Sequence, residues 1–291
     1  MKIAIVGGMG YIGSALRELY RNSEHEVTII DKDLNLHRIS MLPNNFKFIH
    51  KDITKEILDM SEYDIVYNLA GITLTYSTNE EEVMGVNYHS AVNLAQMSAR
   101  YIFPSTNNMF GGYGEQLYDV KEDKKPEPIG IYANSKYEVE KWLKENHNNY
   151  VICRLGSNYG YSDGLKWSPV INTFILNTIF KKPILLDKGC DNIRPFVNVN
   201  DSARALYHVA HHDKIKNDIF HVVSRNDSLR NIANKIKEVD DSVVIEESGK
   251  ENWFNGYEIN GDKLKRKGFD YMWKLTTGYK IMRGSFKNVV R

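Results

Sequence analysis

The chain has 291 residues, of which 42% are hydrophobic and 26% charged, and its formal net charge is +1. This composition is typical of a globular enzyme, and so small a net charge excludes a general attraction to nucleic acid or to an anionic membrane. The opening "MKIAIVGG" is too short an apolar run for a signal peptide, and no run approaches the roughly 18 apolar residues of a membrane span. We therefore expect neither export nor membrane insertion.

The first half of the chain alternates short apolar runs with longer amphipathic ones, which is typical of strand, helix, strand units that build a parallel sheet. The predicted strands are "KIAIV" (2–6), "EVTIID" (26–31), "FKFIH" (46–50), "IVYNLA" (65–70), "YIFPST" (101–106) and "YVICRL" (150–155). The predicted helices cover residues 13–22, 79–100 and 132–147. The expected fold is α/β, with a Rossmann-type, doubly wound parallel sheet.

After about residue 160 the alternation becomes irregular, with a loop "YSDGLKWSP", a buried helix "VINTFILNTIF" and a short strand "SVVIEE" before a helical tail. We predict a dinucleotide-binding domain over 1–160, to which 196–222 returns. Residues 161–195 and 223–291 form a smaller α/β substrate lobe. A cleft between the two is the expected ligand site.

Metal and disulfide chemistry are not indicated by the sequence. Cys153 and Cys190 are far apart and lack metal-ligand spacing, which fits a reducing cytoplasm. The pair His211 and His212 has no suitably spaced third ligand, and we expect it at a solvated helix end.

The segment "GGMGYIG" follows the first predicted strand and opens a helix. Glycines at 7, 10 and 13 allow a tight turn, close approach of the backbone to a pyrophosphate, and close packing of helix on strand. The second strand ends in Asp31, whose carboxylate can bind both ribose hydroxyls and repels a 2′-phosphate. These features predict NAD rather than NADP as the cofactor, although Lys32 partly offsets the repulsion.

Several motifs, in order and nearly along the whole chain, resemble the extended short-chain dehydrogenase/reductases that act on nucleotide sugars. They are "GGMGYIG", "DI" at 52–53, "NLAG" at 68–71, Asn87, "FPSTNNMFG" at 103–111, "YANSK" at 132–136 and "RPFVNVND" at 194–201. The resemblance implies that the NAD contacts are Gly7, Gly10, Tyr11, Ile12, Gly13, Asp31, Asp52, Ile53, Leu69, Ala70, Gly71, Asn87, Tyr132 and Lys136.

Two Tyr/Lys pairs with a spacing of four occur on one predicted helix, Tyr132 with Lys136 and Tyr137 with Lys141. They point about 140° apart, so only one can face the cofactor. The family context selects Tyr132 as the general base and Lys136 as the cation that lowers its pKa and binds the nicotinamide ribose. Thr106 would bridge Tyr132 to the substrate hydroxyl.

The reaction is narrowed by the two residues after Thr106. Family members that eliminate water carry an acidic pair there, whereas this chain has Asn107 and Asn108, which have no usable pKa. We therefore expect an NAD-dependent epimerase that oxidises C4 of a nucleotide-diphosphate sugar transiently, the C4 position being implied by the resemblance. The alternatives are an NAD(P)H-dependent 4-keto-sugar reductase, a 4,6-dehydratase or a non-catalytic NAD-binding protein.

The resemblance also suggests the substrate contacts and the oligomeric state. The expected substrate-binding residues are Thr106, Asn107, Ser157, Asn172 and Arg194, with the Arg194 guanidinium suited to the diphosphate. An ion pair with Asp191 or Asp201, or a structural Asn172, are the alternatives. The sequence departs from the family at Ser157, where Asn is usual, and at Val6, where Thr is usual. A homodimer through the helices at 79–100 and 132–147 is implied.

Overall fold

The computed structural model describes residues 1–73, 79–111, 113–251 and 255–286. In chain order the strands are β1 (Lys2–Val6), β2 (Glu26–Asp31), β3 (Phe46–His50), β4 (Ile65–Asn68), β5 (Tyr101–Thr106), β6 (Leu117–Val120), β7 (Tyr150–Leu155), β8 (Ser157–Tyr159), β9 (Ile184–Lys188), β10 (Arg194–Asn198), β11 (Asp218–Val222), β12 (Arg225–Asp227), β13 (Ile245–Glu251) and β14 (Tyr257–Ile259). The α-helices are α1 (Tyr11–Tyr20), α2 (Leu36–Ser40), α3 (Glu80–Met84), α4 (Ser90–Gln96), α5 (Gly130–Asn146), α6 (Val170–Ile179), α7 (Val199–Ala210), α8 (Leu229–Val239), α9 (Asp262–Lys265) and α10 (Leu275–Ser285).

A seven-stranded sheet in the order β11-β7-β5-β4-β1-β2-β3 forms the centre of the protein, and all of its pairings are parallel. Alternate residues of β1 enter different cores. Ile3 and Ile5 pack with α1 and α7, whereas Ala4 and Val6 pack with α4 and α5. Because helices cover both faces of the sheet, side chains on both faces are buried, and the sequences of the strands are continuous apolar runs. The predicted doubly wound Rossmann-type fold is confirmed.

The strand order places a crevice at the end of β1. From β1 the chain builds outward through β2 and β3, then returns to β4 on the other side of β1. Ligands of doubly wound sheets bind where the strand order reverses in this way, outside the carboxyl ends of the strands. The glycine turn after β1 and the segment after β4 therefore border the expected site.

The remaining elements form a second apolar core beside the sheet. It contains buried side chains of α6, α8 and α10 together with those of β9 and of the segment before β13. The parallel pair β9 and β13 lies here, and a three-stranded sheet, β12-β10-β8, connects this core to the region of β7. A last pair, β6 with β14, joins the two parts of the chain.

The predicted helix at 79–100 is interrupted in the structure. After α3 the residues Gly85–His89 form a wider π turn, and α4 ends at Gln96. The Gly85 carbonyl accepts both the backbone N–H and the hydroxyl of Ser90, which holds the turn open. Wider turns of this kind are frequent at functional sites. Here the turn carries Asn87, which is 1% exposed and directed inward.

Other predicted boundaries shift by a few residues. The fourth strand ends at Asn68, which leaves Leu69–Gly71 free to form the crevice wall. His211 ends α7, as expected, but it is half-buried rather than fully solvated: its Nε2 lies 2.7 Å from the hydroxyl of Tyr20, and its ring stacks on His25. None of the helices in the described ranges is long and apolar enough to cross a membrane.

Candidate active site

The glycine turn after β1 is shaped by close backbone contacts. Gly7 has φ +78°, and a Cβ atom built there would lie 2.5 Å from the backbone nitrogen of Ala70. A Cβ atom on Gly13 would lie 2.5 Å from the carbonyl oxygen of Gly7. The first N–H groups of helix α1, which starts at Tyr11, lack an intrahelical acceptor, and no side chain caps them. The turn therefore fits a dinucleotide pyrophosphate, which these N–H groups would bind.

Replacing Gly7 with alanine is expected to reduce NAD retention at least tenfold, because the added methyl group must displace the backbone at Ala70 and adopt an unfavourable positive φ. The measurement is the amount of NAD released from the denatured, purified protein, together with its thermal midpoint. Gly114→Ala is the matched control, since no atom lies within 4 Å of its built Cβ. Full NAD retention in Gly7→Ala would contradict the assigned role of the turn.

Asp31 closes the adenosine end of the site. Its Oδ2 accepts the backbone N–H of Met9 at 2.9 Å, and its Oδ1 accepts that of Asp33 at 3.0 Å. The carboxylate thus fixes the glycine turn to the end of β2, and each oxygen keeps a further lone pair for a ribose hydroxyl. Lys32 and Lys51 line the same end of the cavity.

A cavity of about 550 Å³ runs from Asp31 to the end of β5. Its wall includes most of the residues that the sequence predicted to be in the site. These are Gly7, Gly10, Tyr11, Ile12, Gly13, Asp31, Asp52, Ile53, Leu69, Ala70, Gly71, Thr106, Tyr132, Lys136 and Ser157. Elements far apart in the sequence, the ends of β1, β2, β4 and β5 and the start of α5, therefore converge on one volume.

Thr106, the last residue of β5, is oriented by a short turn. Its Oγ1 accepts the backbone N–H of Asn108 at 3.1 Å, which leaves the hydroxyl proton to be donated elsewhere. Burial raises the pKa of the Tyr132 phenol above its usual value, and the nearby Thr106 hydroxyl opposes this with a smaller lowering. The protein alone therefore keeps Tyr132 protonated at neutral pH.

Lys136 lies one helical turn after Tyr132 and is 5% exposed. Its Nζ donates to the carbonyl oxygen of Pro104 at 3.1 Å and lies 4.4 Å from the centre of the Phe103 ring. Burial lowers the pKa of Lys136 to about 8, although the charge of Glu140 opposes the shift. At neutral pH the ammonium is therefore charged, and it is held against the cavity wall.

Asn87 does not line the cavity, although the resemblance implied that it contacts the cofactor. Its Oδ1 accepts the backbone N–H of Ile72 at 2.8 Å, and its Nδ2 donates to the carbonyl oxygen of Ile72 and to the hydroxyl of Ser135. Asn87 thus joins the segment after β4 to α5, and in this structure its position supports the site from behind.

Three predicted substrate residues also lie away from the described cavity wall: Asn107, Asn172 and Arg194. Asn107 is buried and donates to the carbonyl oxygen of Arg154. Asn172 is fully buried, where it accepts the Gly160 N–H at 2.9 Å and donates to the Tyr11 hydroxyl at 3.0 Å. These contacts of Asn172 are those expected for the structural alternative, and a substrate contact by Asn172 stays a prediction.

Arg194 is partly buried at the start of β10. Burial lowers the pKa of its guanidinium, and Tyr257 is the largest influence that raises it. The ion pairs considered from the sequence are taken by other partners, since Asp191 pairs with Arg230 and Asp201 with Arg204. A diphosphate contact by Arg194 stays a prediction.

The cavity wall includes residues that were not among the predicted contacts. Asn108, which the sequence singled out only as an amide in place of an acid, lines it next to Thr106. A loop before α6, which the sequence did not indicate, contributes Lys166, Ser168 and Pro169. That loop reaches the glycine turn because Gly164 donates its N–H to the Ser14 hydroxyl at 2.8 Å. No motif spacing identifies these contacts, because they depend on how the second core packs on the first.

Within the described residues no group of three or more His, Cys, Asp or Glu side chains could hold a metal ion. A doubly wound sheet, a glycine turn that lines a cavity and opens a helix, and a carboxylate at the end of β2 define a dinucleotide-binding protein of the Rossmann class.

Within that class the family is shown by a match to the family model "NAD dependent epimerase/dehydratase family" over residues 3–222. The chain belongs to this family. Its resemblance to the extended short-chain dehydrogenase/reductases is thereby confirmed. The chain is an NAD-dependent enzyme of the epimerase/dehydratase family.

Individual relatives cover most of the chain. A dTDP-glucose 4,6-dehydratase of Shigella flexneri is 27% identical over 321 aligned positions, which cover 91% of this chain and 87% of that protein. The crystal structure of UDP-glucuronic acid 4-epimerase from Bacillus cereus, in complex with UDP-glucuronic acid and NAD, superimposes with a TM-score of 0.86 at 20% identity, covering 99% of this chain and all of that one. UDP-glucose 4-epimerase of Thermotoga maritima, with UDP-glucose, gives a TM-score of 0.84 at 21% identity over the full length of both chains.

Proposed function

We propose that this protein is an NAD-dependent epimerase of a nucleotide-diphosphate sugar, acting by transient oxidation at C4. The observation that carries the proposal is the convergence of Thr106, Tyr132 and Lys136 on the cavity that the glycine turn and Asp31 also border. Amides rather than acids follow Thr106, which disfavours elimination of water. The epimerases of known structure with the same fold support this choice of reaction class.

Tyr132 acts as the general base in this proposal. A substrate hydroxyl donates its proton toward the Tyr132 oxygen, while Thr106 holds the two oxygens together by its own hydroxyl. Burial alone raises the pKa of Tyr132, so positive charge must offset it before the phenol can act near neutral pH. The ammonium of Lys136 supplies part of that charge from the same helix face.

Bound NAD supplies the hydride acceptor and then the hydride donor, so that the cycle has no net redox change. The glycine turn would hold its pyrophosphate, Asp31 its adenosine ribose and Lys136 its nicotinamide ribose. After the substrate carbon loses hydride, the cavity must let the keto sugar rotate so that its opposite face meets the cofactor, while the nucleotide stays bound. Tyr132 then returns its proton to the new hydroxyl.

The reductase alternative consumes NAD(P)H, whereas the epimerase has no net use of cofactor. The dehydratase alternative needs an acid and a base in addition to Tyr132. Asn107 cannot serve as that acid, and it is turned away from the cavity toward the Arg154 carbonyl. Because one relative, 27% identical, is a dehydratase, elimination of water is the alternative reaction that the experiment must test.

The deciding experiment combines cofactor content with turnover. The denatured protein is expected to release NAD, and the native protein should convert a UDP-, GDP-, CDP- or dTDP-hexose to its C4 epimer without added cofactor. In D2O no deuterium should enter C4, because the hydride that leaves is the one that returns. Consumption of NADPH on a 4-keto sugar with no epimer formed would identify a reductase, and a 4-keto-6-deoxy product would identify a dehydratase.

Replacing Asp31 with serine is expected to weaken NAD binding about tenfold and to raise the ratio of NADP to NAD affinity, because the carboxylate no longer repels a 2′-phosphate and Lys32 remains. Titration of both nucleotides into cofactor-stripped protein measures the ratio. Glu62→Gln, an exposed carboxylate outside the cavity, is the control for lost charge. An unchanged ratio would show that Asp31 serves only the turn.

We also propose a homodimer, formed through α4 and α5 and their flanking turns. These helices pack on one face of the sheet and leave side chains such as Met97 and Lys141 exposed. Light scattering of the purified protein is expected to give about twice the mass of 33.6 kDa. A monomeric mass at micromolar concentration would overturn this proposal.

A further inference from the structure

Tyr257, on β14, reaches the reaction centre through another residue. Its side chain is 2% exposed and does not line the described cavity. Its hydroxyl donates to Oδ1 of Asn108 at 3.1 Å. Asn108 is exposed, lines the cavity and lies two residues after Thr106, whose hydroxyl it binds through its own backbone N–H.

The bond from Tyr257 decides which end of the Asn108 amide is available. An amide has one accepting oxygen and two donor hydrogens on nitrogen. Because the phenol proton is directed to Oδ1, the free end is Nδ2, which has no hydrogen-bond partner among the described parts of the chain. The Nδ2 group of Asn108 can therefore donate a hydrogen bond, without charge, to a ligand in the cavity beside Thr106.

Both ends of this contact are held by close packing. The Tyr257 backbone N–H donates to the Ile193 carbonyl at 3.0 Å, and a Cβ atom on Gly256 would lie 2.8 Å from the Ile193 nitrogen. Tyr257 shares a buried apolar cluster with Met109 and Phe110, the two residues that follow Asn108. The phenol and the amide are therefore positioned by the same packed unit.

We propose that Tyr257 is a positioning residue that fixes Asn108 as a hydrogen-bond donor to the sugar, and so makes the site selective for sugars that carry an oxygen acceptor next to the reacting carbon. The acceptor is a hydroxyl or a carboxylate, and a deoxy sugar at that position would not receive the bond. The inference rests on the proposed function for the class of substrate, and on the structure for the orientation of the amide.

A double-mutant cycle with Tyr257→Phe and Asn108→Ala tests the coupling. For the preferred sugar each single variant is expected to lower kcat/KM about tenfold, since each removes one hydrogen bond to or through the amide. The double variant should be no worse than Asn108→Ala, because Tyr257 acts only through Asn108. The same cycle is measured on the Kd of the nucleotide sugar by calorimetry, which needs no turnover.

A deoxy analogue of the preferred sugar is the selectivity readout. It should bind wild type and Tyr257→Phe equally, so that the discrimination between the two sugars falls about tenfold in the variant. Tyr118→Phe, on the neighbouring strand and 68% exposed, is the control for loss of a phenol and should leave both sugars unaffected. NAD content and thermal midpoint are measured on every variant.

The outcomes separate this inference from the proposed function. The positioning role would be overturned if the double variant lost about a hundredfold in kcat/KM, the product of the two single losses. It would also be overturned if Tyr257→Phe discriminated between the two sugars as well as wild type does, or if it bound the deoxy analogue more weakly, because a merely structural change weakens all ligands alike. If wild type binds sugars but forms no epimer, the proposed reaction falls, and the binding cycle still decides the role of Tyr257.

Discussion

Replacing Tyr132 with phenylalanine is expected to lower the epimerisation rate by roughly 10²–10⁴-fold, the range that a positioned general base contributes. NAD retention should be unchanged, because the phenyl ring keeps the packing and only the hydroxyl is lost. The effect should appear in kcat rather than in KM, since the proton transfer occurs only as the reaction proceeds. Initial rates on the epimerised sugar and NAD release after denaturation measure the two quantities.

Tyr137→Phe is the matched control on the same helix. Tyr137 also precedes a lysine by four residues, and the Lys141 Nζ lies 5.4 Å from the centre of its ring. Tyr137 packs at the edge of the apolar cluster around Met109 and does not line the cavity. Turnover should therefore survive in Tyr137→Phe. Loss of activity there, or retention in Tyr132→Phe, would show that the wrong phenol had been assigned.

The sequence predicted the parts of this site that depend on local chemistry. The strands are marked by apolar runs, and glycine is needed at 7 and 13 because a Cβ atom there would lie 2.5 Å from backbone atoms. The prediction that Tyr132 rather than Tyr137 is the base rests on the helical angle and the family context, and only Tyr132 lines the cavity. In each case the information is carried by neighbours along the chain.

The parts that sequence reasoning missed depend on how distant segments pack. Asn87 is directed inward because the helix widens into a π turn at Gly85, and no residue spacing predicts that turn. Lys166 reaches the cavity because its loop packs on the glycine turn, and Asn108 is oriented by Tyr257 from far along the chain. Arg194, chosen for its guanidinium, is not among the residues of the described cavity wall, and its diphosphate contact stays a prediction.

A buried ion pair between α5 and β7 is the other feature that the sequence did not reveal. Arg154, on β7, is 1% exposed and makes three hydrogen bonds of 2.8–3.2 Å to the carboxylate of Glu140, which is fully buried. Its Nη1 also donates to the carbonyl oxygen of Glu122 at 3.1 Å. Glu140 lies one turn after Lys136, so the pair both anchors α5 to the sheet and places a negative charge near the Lys136 ammonium.

Breaking this pair is expected to cost about 3–5 kcal/mol of unfolding free energy, because Glu140→Leu leaves the Arg154 guanidinium buried without its counter-charge. The double variant Glu140→Leu with Arg154→Met should recover most of the loss, since two apolar side chains no longer require charge pairing. Lys141→Met breaks the exposed pair with Glu138 on the same helix and should cost less than about 1 kcal/mol. Chemical denaturation measures all three.

The Glu140 variants should also change the pH dependence of turnover. Glu140 raises the pKa of Lys136 against the larger lowering by burial, so its removal moves that pKa further below about 8. Lys136 then loses its proton at a lower pH, and the fall in activity on the alkaline side should begin correspondingly earlier. Equal losses of stability in the single and double variants would mean that packing volume, rather than the charge pair, holds α5. An unmoved alkaline limb would place the Lys136 ammonium outside the influence of Glu140.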